Sequence, residues 1–377
     1  MDKTKNNNKI DLVKNLDEAK FNKSYNKILN NNSRIIFMDW LRIISSFFII
    51  LIHLTAVYFY KFPIKSYKWK IIYFYNGLSR FGLPIFFMIS GALFLKRDLS
   101  LKNIFNKYIK RIFIHLLLWS IIYSITKNKL MKSYIKKIIF EIIKGHYHLW
   151  YLYATIGLYI NIPFSREITK NERLLKYFII LYFIIIFIIP NSMNIISYYS
   201  KDIYYLFKNI NSKLNLNNFS INTFYFIFGY YLDNKKYIKK IIRIIIYILG
   251  GIGFFITTII SYNISIKNNK KLNLFNLYYL NIFFASTSVF IFFKNNFNNL
   301  NIIIKRNNII QIIAKYTFGI YLIHPLIIEK IIKKLNFKFL TKNILFLIPI
   351  VNFIIFILSL IITIILKYIP LIGKYLT

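Results

Sequence analysis

Arg42 and His53 stand eleven residues apart in the apolar stretch MDWLRIISSFFIILIHLTAVYFY, residues 38–60. At 100° per residue that is about three helical turns plus roughly 20°, so the two share one face, about 16 Å apart along the axis. Asp39 and Ser46 fall on the same face. An ionisable side chain at membrane depth costs on the order of 3 kcal/mol on insertion scales, so such a stripe must face the bundle interior or a water-filled cavity. The chemistry available is proton transfer by a mid-span imidazole and anion binding by a guanidinium fork. The ordinary alternatives are an interfacial Arg42 that snorkels and pairs with Asp39, and a His53 that serves one interhelical hydrogen bond.

Further along, SRFGLPIFFMISGALFL (79–95) sets Arg80 beside Gly82 and Pro84. A helix loosened there frees carbonyls that Arg80 could bind, as an alternative to touching a substrate. Ser90–Gly91 fits close helix packing. The run KYIKRIFIH (107–115) carries Lys107, Lys110 and Arg111, with His115 one turn above Arg111. Such a basic rim either marks a membrane boundary or binds an anion. GHYHLWYLY (145–153) gathers His146, His148 and Trp150 where an aromatic belt is expected; with no third ligand beside them, no metal site is expected. YTFGIYLIHPLIIE (316–329) places His324 before a helix-breaking proline, with Glu329 five residues on. A purely structural His324 would bond Tyr321 or Thr317. The chain has no Cys, no GxSxG elbow, no HExxH zinc helix and no phosphate-binding GxxxxGK[ST] loop. A buried histidine as general base and arginines as anion clamps remain.

Positioning these groups falls to a set of apolar helices. The 377 residues are 57% hydrophobic, with runs long enough at about 20 residues each to cross a hydrocarbon core of about 30 Å. The runs fall at 36–60, 71–95, 104–126, 147–163, 174–190, 219–232, 241–262, 273–293, 308–328 and 344–366. This predicts an all-α polytopic integral membrane bundle of about ten transmembrane helices. The formal charge of +40 suggests nucleic acid, but it is carried by 43 Lys and only 9 Arg in short clusters between apolar runs, so nucleic acid is excluded as a partner. Residues 1–34, with nine Asn and seven Lys, read as a disordered basic tail without a signal-peptide core. A membrane domain over 35–366 and a short tail over 367–377 follow. Within 127–146 a short amphipathic helix is expected at the membrane interface. An amino terminus in the cytoplasm puts eight of the nine arginines in or beside cytoplasmic segments, so both termini are expected there.

Arg42 followed after ten residues by His53, then FGLPIFFMISGALFL, the basic opening that ends Arg111–Ile112, HLWYLYATIGLYINIP and YTFGIYLIHPL resemble, in order and spacing, membrane acyltransferase family 3. Within it the surface-polysaccharide and enterobacterial-common-antigen O-acetyltransferase branch is most alike. The resemblance implies a bacterial cell-membrane enzyme of ten helices that moves an acyl group, usually acetyl from acetyl-CoA, onto a carbohydrate hydroxyl, with no bound cofactor. It implies that Arg42 and His53 form the essential helix 1 motif, and that Arg111 is the second arginine of the helix 3 Arg-x-x-Arg motif. The first arginine of that motif falls on Tyr108, beside Lys107. Arg42, Lys107, Lys110 and Arg111 would then hold the donor, with Asp39, Arg80, His148, Trp150 and His324 supporting the site or the acceptor. The competing class is a transporter or flippase for a lipid-linked sugar or acidic solute, although the symmetric helix interruptions of inverted-repeat transporters are missing.

Overall fold

The computed structural model describes residues 35–128, 135–214, 216, 220–271, 277–297, 309–334, 343–370 and 373–376. Among these residues every regular element is helical. The predicted tail over 1–34 lies outside the described residues.

Helix α1 spans Ile36–Phe59. It contains neither Gly nor Pro, and two of its hydroxyls bond the preceding turn: Ser46 donates to Arg42 O (2.9 Å) and Thr55 to Leu51 O (2.6 Å). Hydroxyls that bond the preceding turn can be carried at membrane depth without an unmet donor. Helix α2 (Tyr67–Leu78) starts at Ser66, whose hydroxyl accepts from Trp69 N, and the chain turns at Ser79–Phe81 before α3 (Gly82–Phe94). Pro84 sits in the first turn of α3, where its missing N–H costs no helical hydrogen bond. A π-helical turn, Ile104–Ile109, leads into α4 (Lys110–Asn128).

The expected amphipathic helix is α5 (Ile135–Lys144), which leaves Ile139, Phe140 and Ile143 exposed. Then come α6 (Trp150–Ile160), α7 (Ile162–Lys170), α8 (Glu172–Phe183) with a π-helical turn at Ile184–Ile188, α9 (Ile189–Tyr199) and α10 (Lys201–Lys213). The remaining long elements are α11 (Ile221–Asn234), α12 (Lys240–Lys267), α13 (Leu280–Phe297), α14 (Ile309–Lys334) and α15 (Ile344–Lys367). A last turn, Gly373–Leu376, lies against α4, where Trp119 Nε1 donates to Leu376 O at 3.3 Å.

Among the described residues seven helical segments are long and apolar enough to cross a membrane, against about ten expected from the sequence. The other three expected spans are helical but shorter or more polar. Helix α6 has 11 residues before the break at Asn161, α11 has 14, and α13 carries Asn281, Lys294, Asn295 and Asn296. Burial explains the difference for α11 and α13, because a helix surrounded by protein need not present an apolar face to lipid. Phe224, Tyr225, Phe226 and Ile227 of α11 are all fully buried. Lys294 is buried too, and its Nζ donates to the carbonyls of Leu232, Asp233 and Lys235 at 2.7 Å each, capping the C-terminal end of α11. By contrast, α12 exposes a belt of Ile244, Ile245, Ile248, Ile252, Phe255 and Ile259, a surface suited to acyl chains rather than water.

Helix α1 is the hub, packed against α2, α3, α13, α14 and α15. The most intimate crossing is α3 on α11. A Cβ on Gly91 would fall 1.6 Å from Phe226 O, and one on Gly229 would fall 2.1 Å from Met88 O. Gly91 therefore does serve close packing, whereas Ser90 faces a cavity.

Helix α14 does not break at Pro325 as the sequence suggests, but runs on to Lys334. The carbonyl that the missing Pro325 N–H would have bonded is that of Tyr321, four residues earlier. His324 supplies a substitute, donating from Nδ1 to Tyr321 O at 2.7 Å. Local replacement of the lost bond is what lets proline sit inside a membrane helix.

Candidate functional site

Two cavities meet inside the bundle. The first, about 200 Å³, is walled by Arg42 and Ile49 of α1, Ser90 and Phe94 of α3, Tyr151 and Tyr159 of α6, and Tyr321 of α14. The second, about 220 Å³, is walled by His53, Arg80, Leu83, His148, Trp150 and Leu277. Ile49, Tyr151 and Tyr321 belong to both walls, and the two tyrosine rings meet edge to face at 5.4 Å. The helical spacing thus sets Arg42 and His53 on one face, as expected, and delivers them to adjoining chambers. Arg42 is held by Asp39, which is fully buried and accepts from its Nη1 at 2.7 Å.

Around His53 the chain gathers three of the other four histidines from two distant segments. The His324 ring lies 5.1 Å from that of His53, and Tyr147 lies 5.3 Å from it. His148 lies 5.7 Å from His324, and its Nδ1 shares a 2.7 Å hydrogen bond with Nδ1 of His146. His146 stacks on Tyr123 at 4.1 Å, and its Nε2 lies 3.5 Å from Glu329 Oε1. Glu329, five residues after His324 in sequence, therefore faces His146. The Tyr321 hydroxyl donates to His148 O, and that of Tyr123 donates to Leu322 O at 2.8 Å, pinning the segment before α6 and the middle of α4 to α14. Among the described residues no three His, Asp or Glu side chains are grouped to hold a metal ion.

Arg80 stands in the turn between α2 and α3 and reaches the wall of the His53 cavity. Its Nε and Nη2 donate to Asn76 Oδ1 at 3.1 and 2.7 Å, and Asn76 Nδ2 donates in turn to Thr55 Oγ1 at 2.9 Å. Arg80 is thus braced to α1 two residues past His53, through a side chain rather than a freed carbonyl. Trp150 is 44% exposed yet also reaches this wall.

The basic rim is placed differently. Lys107, Lys110 and Arg111 are exposed and line neither cavity. Their neighbour Tyr108 packs on Phe94 at 4.9 Å and on Tyr159 at 6.5 Å, so the rim abuts the outside of the Arg42 chamber. His115 is fully buried, with Nδ1 donating to Arg111 O at 2.7 Å and its ring against Phe318; it takes no part in the cluster.

Three contributors escape the sequence reading, Asn76, Tyr147 and Tyr151, while Tyr321 enters it only as a bonding partner of His324, which it is, and not as a wall of both cavities. Asn76 carries a signal, being an amide inside the 71–95 apolar run. The tyrosines carry none in a chain that has 31 of them.

Residues 35–369 match the family model of an acyltransferase domain, that of acyltransferase family 3. The match covers nearly all of the chain, which therefore belongs to this family of membrane acyltransferases. No curated protein matches, and no solved structure does.

Proposed function

We propose that the protein transfers an acetyl group from acetyl-CoA to a hydroxyl of a cell-surface or lipid-linked carbohydrate, in the membrane of a bacterial cell. The observation that carries the reading is the pair of adjoining chambers, with Arg42 in one wall and His53 in the other, joined at Ile49, Tyr151 and Tyr321. The donor enters from the Arg42 end. Its anionic groups are met by the exposed Lys107, Lys110 and Arg111 and then by Arg42, whose planar fork matches phosphate. The thin pantetheine arm crosses the waist, which brings the thioester beside His53.

There His53 removes the proton from the acceptor hydroxyl as its oxygen attacks the thioester carbonyl. When the C–S bond breaks, His53 returns that proton to the departing thiolate, so the cycle closes without a cofactor. A chamber of about 220 Å³ that must also admit a sugar hydroxyl favours a short acyl group. Arg80, braced by Asn76, presents its remaining donors to the acceptor, and His148 and Trp150 complete that wall.

Purified protein in lipid nanodiscs, given radiolabelled acetyl-CoA and isolated surface glycan, should label the glycan. Mass spectrometry of glycans with and without the gene should identify the acetylated position. Unchanged glycans and no turnover of acetyl-CoA would reject the reading.

A further inference from the structure

His324 has one nitrogen committed and one idle. Nδ1 lies 2.7 Å from Tyr321 O, and because a carbonyl only accepts, Nδ1 must carry the proton. Neutral imidazole then has a bare Nε2, able only to accept. That atom is fully buried and has no hydrogen-bond partner among the described residues. Buried acceptors are rarely left so unless a partner arrives in use. The ring of His53 lies 5.1 Å away, tilted by 38°, a spacing at which a nitrogen of one ring reaches that of the other with a small rotation about χ2. The same helix position explains why the tautomer cannot switch: Pro325 has removed the N–H that would otherwise serve Tyr321 O.

We propose that His324 is the positioning partner of His53, accepting a hydrogen bond from it at Nε2. The inference rests on His53 being the base. It makes the nitrogen of His53 that faces His324 the protonated one and leaves the other bare toward the cavity, where the acceptor hydroxyl must bind. The arrangement does for His53 what a carboxylate does for the histidine of a hydrolase triad, fixing tautomer and ring orientation. As His53 takes the hydroxyl proton, its N–H toward His324 shares the positive charge with a neutral imidazole, and the proton passes on to the thiolate as before. The groups that face this pair are Arg80 from the α2–α3 turn, His146, Tyr147 and His148 from the segment before α6, and Tyr321 from α14.

A test must separate this role from the repair of α14, and Pro325→Ala does so by restoring a backbone N–H to Tyr321 O. In that background His324→Leu should lower kcat by about 10²-fold, the scale of a misplaced reacting group, with the KM for acetyl-CoA unchanged. His324→Gln, whose Oε1 can accept, should stay within about tenfold of Pro325→Ala. The pairing is overturned if the Leu variant matches Pro325→Ala, or if the folded Gln variant falls as far as Leu. Should the Leu variant not assemble, the Gln variant decides alone, a loss equal to that of His53→Ala refuting the role. His53→Ala run alongside keeps the two ideas apart: full activity there overturns the base itself, whereas an inactive His53→Ala beside an active Leu variant overturns only the pairing.

Discussion

Arg42 and His53 share one face of α1 yet line different cavities, and Ile49, seven residues after one and four before the other, borders both. The face proposed to bind the donor at one end and do the chemistry at the other is thus interrupted by a single apolar side chain at the waist. Ile49→Trp should fill that waist against Tyr151 and Tyr321. Donor affinity, measured by calorimetry, should be kept while transfer falls by at least tenfold, at an overpacking cost of about 1–3 kcal/mol in stability. Equal loss of binding and turnover would mean that the two chambers are not traversed in sequence.

His53→Ala should insert and assemble, since it removes a polar ring from membrane depth and leaves the side-chain hydrogen bonds of Asp39, Ser46 and Thr55 in α1 intact. Transfer should fall by the 10² to 10⁴ typical of losing a general base. The check is initial-rate kinetics on protein whose elution from a sizing column matches wild type; retained activity sinks the assignment.

Arg42 and the exposed rim should behave differently. Arg42→Lys keeps the charge but loses both the fork and its geometry on Asp39, so the KM for acyl-CoA should rise several-fold at any ionic strength. Arg111→Glu, at an exposed position, should raise KM chiefly at low salt, because exposed charges are screened over about 10 Å at 0.1 M. Titrating KM against salt for both variants distinguishes them. If Arg42→Lys binds the donor as wild type does, the snorkelling explanation of Arg42 is preferred.

Much of this site is visible in the sequence because of mismatch. His53 and Arg80 stand out against lipid-depth surroundings that disfavour them, and the period of α1 alone places Arg42 with His53. What stays hidden depends on tertiary contact. Glu329 stands five residues after His324, and nothing in the chain shows that α14 turns it toward His146. Pro325 looks like a stop until His324 is seen to satisfy the carbonyl it orphans. The helices of α11 and α13 blur the count of spans because buried helices escape the demand for an apolar exterior, and Lys294 can then cap a neighbour from inside the bundle.

The crossing of α3 and α11 should be the least tolerant place in the fold. Gly91→Val and Gly229→Val each drive a side chain into the facing backbone, at Phe226 O and Met88 O, which cannot give way as a flexible side chain would. Each should cost more than the about 1–3 kcal/mol usual for overpacking and lower the melting temperature in detergent. Gly157→Ala, with open space around its Cβ position, is the matched control and should leave stability unchanged. Wild-type melting for both Val variants would mean that the two helices are further apart than described.

The mechanism also requires the Arg42 end of the bundle to face the compartment that holds acyl-CoA. From the arginine bias of the sequence, that end and both termini are expected in the cytoplasm. The chain contains no Cys, so single cysteines can be introduced without background. On intact cells an impermeant thiol reagent should fail to label cysteine at Asn30, Asn234 or Thr377. It should label cysteine at Ser66, in the loop after α1, at Asn211 in the exposed α10, and at Asn268 just past α12. Reaction at Asn234 with protection at Ser66 would invert the bundle. Arg42 would then face away from the cytoplasm, and the donor would have to be something other than cytosolic acyl-CoA.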